Sequence, residues 1–251
     1  MPFKKGGAAL IGGPRAGCYK TASRPGHALR AARPMDDPIL IILSLGILIL
    51  SLAVHEAAHA YVAYLCGDTT AKDMGRMTLN PIVHIDLFMT IILPTVLFVL
   101  TQGRMMFGGA KPVPVNPNNL RHPMRDMMWV ALAGPASNIL QAMVLMTISK
   151  AVQHEELYAK DQLLVQVLDY GVFINLLLAA FNMIPFPPLD GSRVLAFLLP
   201  PSLRSGYVAM ERFGLIGVIL LIQIPAVKRA IWDGMQLGLD FTHWATGGTW
   251  S

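Results

Sequence analysis

The sequence predicts an all-α polytopic membrane protein, and three observations carry that prediction. The 251 residues are 54% hydrophobic and only 14% charged, with a mean hydropathy of +0.51, far more apolar than a soluble domain of this length. The apolar residues fall in blocks: no charged side chain lies between Asp37 and His55, Asp86 and Arg104, Asp126 and Lys150, or Asp169 and Asp190. Polar stretches separate the blocks. Each block can hold a membrane segment, and inside hydrocarbon the backbone must satisfy its own polar groups, which favours helices. Four to six segments are expected.

In chain order, residues 1–34 are rich in Gly, Ala, Arg and Pro, without helical periodicity, and are expected to be a disordered basic extension; Met35 offers an alternative start. Much of the net charge of +5 sits there, on Lys4, Lys5, Arg15, Lys20, Arg24, Arg30 and Arg33. That is a basic tail and not a basic groove, so no nucleic-acid partner is expected. Residues 35–251 are expected to form one membrane-embedded domain, with spans at about 38–66, 87–102, 127–150, 163–184 and 207–227. The second span is short and carries Pro94, and the fifth is interrupted by Glu211 and Arg212. Gly67-Asp68 ends the first span. Between spans two and three, GGAKPVPVNPNNLRHPMRD is too rich in proline for helix and reads as an extended edge strand or loop near 110–117. The fourth span breaks at Pro185, Pro187 and Pro188, where Asp190 appears. The two cysteines, Cys18 and Cys66, do not make a disulfide framework.

Within the first span stands HEAAH, residues 55–59. Residues four apart on a helix differ by about 40° in direction, so His55 and His59 project from one face and can bind one metal ion. Glu56 lies beside them and can reach a metal-bound water, whose pKa zinc lowers towards 7; a carboxylate there can take the proton as the water attacks a carbonyl. Catalytic zinc takes three protein ligands, and Asp190 is the outstanding candidate for the third. A carboxylate at the broken end of an apolar segment is costly unless it meets a partner or a wet cavity. An ordinary helix cap is the competing role for Asp190. Asn182 can hydrogen-bond a substrate carbonyl or an oxyanion, and Asn138 is equally well an inter-helix hydrogen bond or a member of the site. His84, His122, His154 and His243 have no partner at ligand spacing.

The segments HEAAHAYVAYLCGD, TAKDMGRMTLNP, GGAKPVPVNPNNLRHPMRD, ALAGPASN and FNMIPFPPLDGSRV resemble, in order, the site-2 protease family of intramembrane zinc metalloproteases, in its compact prokaryotic branch without a PDZ domain. The resemblance implies a three-span catalytic core, one catalytic zinc ion held by His55, His59 and Asp190, Glu56 as general base, and Asn182 positioning substrate or stabilising the oxyanion. It further implies that Lys111, Pro112, Val113, Pro114, Val115 and Asn116 offer an edge strand to an unwound substrate segment, with Asn138 among the substrate-binding residues. The partners so implied are a membrane protein with a transmembrane helix and the lipid bilayer, and the location is the cell membrane, multi-pass. Ser192 stands where many relatives have a second Gly. The basic tail argues for a cytoplasmic N-terminus and the resemblance for entry of the HEAAH helix from outside, so orientation stays open. A membrane zinc transporter using the same ligands is the alternative from another class, since intramembrane His and Asp also mark ion paths.

Overall fold

A computed structural model describes residues 38–86, 109–154 and 162–247, together with Ile92. The N-terminal extension and almost all of the expected 87–102 span lie outside the described residues. Helix α1 (Pro38–Leu65) is a run of Ile, Leu and Ala opened by proline, whose missing N–H costs nothing in a first turn. It stops at Gly67, whose φ of +110° only glycine adopts easily; Asp68 N donates to Ala63 O and Gly67 N to Tyr64 O, closing the helix in a Schellman motif. The short α2 (Thr70–Asp73) and a 3-10 turn at Pro81–His84 follow. After a second 3-10 turn, Pro117–Asn119, come α3 (Pro123–His154) and α4 (Gln162–Asn182). The chain then breaks into α5 (Asp190–Leu198), α6 (Pro201–Ala209), α7 (Gly214–Gln223) and α8 (Pro225–Ala245).

Helix α1, residues 123–153 of α3 and residues 163–182 of α4 are long and apolar enough to cross a membrane. They pack as one bundle. Ser51 of α1 meets Asn175 of α4, and a side chain placed on Gly171 would lie 2.8 Å from Leu145 of α3 and 3.2 Å from Ile47 of α1. This pinch point sets the register of all three helices. Ala142, Met146, Val172, Leu176 and Met235 form the core behind it. Outward, Ile39, Ile42, Leu45 and Leu50 of α1 and Leu140, Val144 and Ile148 of α3 are exposed, the apolar outer face that lipid rather than water requires.

One expectation, the edge strand, is corrected, and two features of the C-terminal half add to what the sequence predicts. The fifth span, 207–227, is not one helix: Pro201–Phe213 and Ile216–Gln223 are bent by 94°, and Pro225 opens a new helix because proline cannot continue the old one. Gly214, with φ of +38°, lies at the bend. The edge strand near 110–117 is not a strand: among the described residues there is no β pairing, and residues 109–116 run as an irregular strap. Pro112 and Pro114 remove alternate N–H donors, and the N–H groups of Lys111 and Val113 are spent on His84 O and the Glu56 carboxylate. Finally, α8 lies beyond the last expected span yet packs into the bundle. Its Gly234 and Gly238, one turn apart, face Ala180 and Leu176 of α4 at close range, as in a GxxxG helix contact.

Candidate metal centre

His55 and His59 sit one turn apart on α1, both buried, with their Nε2 atoms 3.0 Å apart. Asp190, the first residue of α5, brings Oδ2 to 3.3 Å from His55 Nε2 and 3.5 Å from His59 Nε2. A tetrahedral zinc with ligand bonds of about 2.0–2.1 Å has ligand–ligand edges of about 3.3–3.4 Å, so these three atoms are spaced like one face of its coordination shell. Two further observations favour a metal. Asp190 Oδ2 is buried and accepts no hydrogen bond, a costly state that coordination relieves. Above the histidines α3 carries Gly134, where any Cβ would fall 2.5 and 2.6 Å from His55 Cε1 and Nε2 and closer still to His59 Nε2. Only glycine leaves that space open. Asp190 is not a helix cap: the cap position is Leu189, and no side chain caps the helix.

The far sides of both rings are held. His59 Nδ1 lies 2.7 Å from the Val130 carbonyl, and His55 Nδ1 is within hydrogen-bonding distance of Asn138 Oδ1. Asn138, fully buried, donates from Nδ2 to Asn175 Oδ1 at 2.9 Å. Thus the structure seats Asn138 behind His55 within the bundle.

Glu56, next to His55, turns to the strap, and its Oε2 accepts from Val113 N at 2.9 Å. The strap is fixed on either side of that contact. Lys111 N donates to His84 O at 2.8 Å, Arg76 Nη2 donates to Lys111 O at 2.9 Å, and Asn116 N donates to Asp68 Oδ2 at 2.7 Å. Asp68 also accepts from the backbone and hydroxyl of Thr70 and from Asn119 Nδ2. Burial alone would raise its carboxyl, but the bonds from Thr70, Asn119 and Asn116 outweigh burial and hold it below the usual carboxylate range.

The family described as Peptidase family M50 matches residues 42–164 and 151–222, nearly the whole bundle. The chain belongs to peptidase family M50, the site-2 protease family. It is 39% identical over 206 residues to "Putative zinc metalloprotease YwhC" of Bacillus subtilis, covering 81% of this chain and 88% of that protein. It is 27% identical over 213 residues to "Putative zinc metalloprotease Rip2" of Mycolicibacterium smegmatis, covering 84% and 78%. No solved structure matches.

Around the M50 motif the structure brings together His55, His59 and Asp190, which among the described residues form the one group of three or more His, Cys, Asp or Glu side chains close enough to share an ion. It brings Val113 to Glu56 as well. Asn182 ends α4 with Nδ2 donating to Leu178 O at 3.0 Å, turned back along its own helix. Asn116 caps the following 3-10 turn by accepting from Asn118 N. Residues that the sequence reading passed over also shape this M50 site. Gly134 makes the space, Val130 and Asn175 stand behind the histidines, and Gly191 lets α5 press against the end of α4, a Cβ there lying 2.5 Å from the Met183 carbonyl carbon. The AGPASN motif was the signal for Gly134; nothing local marked Asn175.

Proposed function

We propose that this protein is a zinc metalloprotease that hydrolyses peptide bonds within transmembrane segments of other membrane proteins, resident as a multi-pass protein of the cell membrane. The observation that carries the reading is the His55, His59 and Asp190 triangle, with Asp190 Oδ2 buried and otherwise unpartnered, in a bundle whose helices are long and apolar enough to cross a membrane. His55, His59 and Asp190 would hold one zinc ion, which when bound supplies Lewis acidity to water and to the scissile carbonyl. Glu56 is the general base: it takes the proton of the attacking water on a carboxylate oxygen and returns it to the departing amine. The Val113 N–H supports that role by holding Oε2 and leaving the other oxygen available. Residues Lys111–Asn116 are the proposed contacts for the unwound substrate backbone, supported by the docking of Val113 on Glu56. Asn182 is the proposed carbonyl or oxyanion donor, a role in which Nδ2 exchanges the Leu178 carbonyl for the substrate.

The test is cleavage by the purified protein, reconstituted in liposomes with a single-span substrate, with the cut mapped by mass spectrometry. Zinc-dependent cleavage inside the apolar segment is expected. Glu56→Gln should retain zinc and lose about 10²–10⁴-fold in rate. Cleavage confined to sequences outside the apolar segment, or undiminished in Glu56→Gln, rejects the reading. The same vesicles loaded with a zinc indicator test the transporter alternative, and no flux is expected.

A further inference from the structure

A line of buried amides runs from the metal site into the bundle. His55 Nδ1 meets Asn138 Oδ1, Asn138 Nδ2 donates to Asn175 Oδ1 at 2.9 Å, and Asn175 Nδ2 donates to Ser51 Oγ and to the Gly171 carbonyl, both at 2.9 Å. Asn138 and Asn175 are fully buried and Ser51 nearly so. The line joins α1, α3 and α4, the three single helices among the described residues that are long and apolar enough to cross a membrane.

Its polarity follows from one end. The Gly171 carbonyl is backbone and can only accept, so Asn175 must turn its NH₂ towards it and its Oδ1 towards Asn138. Asn138 must then present NH₂ to Asn175 and Oδ1 to His55. An amide oxygen only accepts, so the hydrogen of the neutral His55 ring is on Nδ1 and the lone pair is on Nε2, the atom facing Asp190 and His59. Reversing any amide would set oxygen against oxygen in a fully buried site, where such a mismatch is costly. His59 needs no such relay, because Nδ1 already meets a fixed acceptor, the Val130 carbonyl.

We propose that Asn138, Asn175 and the Gly171 carbonyl form a tautomer lock: positioning residues that hold His55 with Nε2 unprotonated before any metal arrives. The proposal rests on the reading of His55 as a zinc ligand. A histidine in the other tautomer would have to move its proton from Nε2 to Nδ1 before it could coordinate, and an outer partner of this kind is worth about 10–100-fold in metal affinity.

Two measurements on the full chain in detergent test it. The first uses ¹⁵N-histidine spectra of the metal-free wild type, with His55 assigned by difference from His55→Gln. A protonated Nδ1 on His55 is expected; a protonated Nε2 overturns the lock even if zinc binds normally. The second is zinc affinity by chelator competition, with zinc as the only probe. Asn138→Leu and Asn175→Leu should each weaken binding by about 10–100-fold, and the double variant no more than the worse single, because each breaks the same chain. In Asn175→Leu, His55 should show both tautomers while His59 keeps one. Ser51→Ala should weaken zinc less than either, since Gly171 still accepts. Wild-type affinity in Asn175→Leu, or losses that multiply in the double variant, overturns the proposal. Failure of the wild type to bind zinc overturns instead the metal-centre reading beneath it.

Discussion

Val113 N lies 2.9 Å from Glu56 Oε2, so the strap backbone and the proposed base hold one another in place. Val113→Pro removes that single N–H from a segment already flanked by Pro112 and Pro114. A hydrogen bond to a charged group is worth about 1.5–3 kcal/mol, so cleavage should fall by about 10–100-fold. Zinc content should be unchanged, because Glu56 is not a ligand. Val113→Ala, which keeps the N–H, should cleave at nearly the normal rate in the same assay.

Gly134→Ala should abolish zinc binding. The added methyl would enter the space beside Nε2 of both histidines, while alanine favours the helix that carries it. Circular dichroism should therefore show undiminished helix, and metal analysis of the purified protein little or no zinc.

Asp190→Asn should cost more zinc affinity than the roughly 10–100-fold expected for loss of an outer partner, because it removes a ligand charge directly. The fold should tolerate it well, since Oδ2 makes no hydrogen bond that the variant would lose. Chelator competition beside a thermal melt separates the two effects.

Asp68 makes the strap acid-sensitive in a defined window. Its carboxyl is held below the usual range in the folded protein, so its stabilisation is complete above the unfolded value of about 3.9 and is lost as pH falls through the lower folded value. Amide hydrogen exchange of residues 109–120, corrected for intrinsic rates, should be steady from neutral pH to about pH 5 and rise only below about pH 4. Asp68→Asn should exchange fast throughout and lose that dependence.

The long apolar helices and the clustering of His55, His59 and Asp190 were legible in the sequence for physical reasons. Uncharged runs have few fates other than a membrane, and a His pair at helical spacing followed by a stranded carboxylate narrows the chemistry. What escaped notice depended on tertiary contact. Helix α8 carries Lys228, Arg229, Asp233 and Asp240, so no apolar window flags it; Gly234 and Gly238 were the available signal, readable only as a packing motif. The strap reads as an edge strand from its Val and Pro content, but its partners are a side chain, a turn carbonyl and an arginine rather than another strand. Asn175 and Ser51 are unremarkable in sequence and gain meaning only when α1, α3 and α4 meet at Gly171.

The place of His55 along α1 bears on what happens after a cut. It lies about 25 Å from Pro38 and about 15 Å from Leu65 along the helix, in a helix of about 42 Å. Under the proposed activity, a substrate helix cut level with His55, in a bundle centred on a hydrocarbon layer of about 30 Å, is divided unequally, about 20 Å to one side and about 10 Å to the other. The shorter stub would be held more weakly and would leave first, to the nearer side. On the proposed reading, the depth of His55, His59 and Asp190 would select which fragment is released.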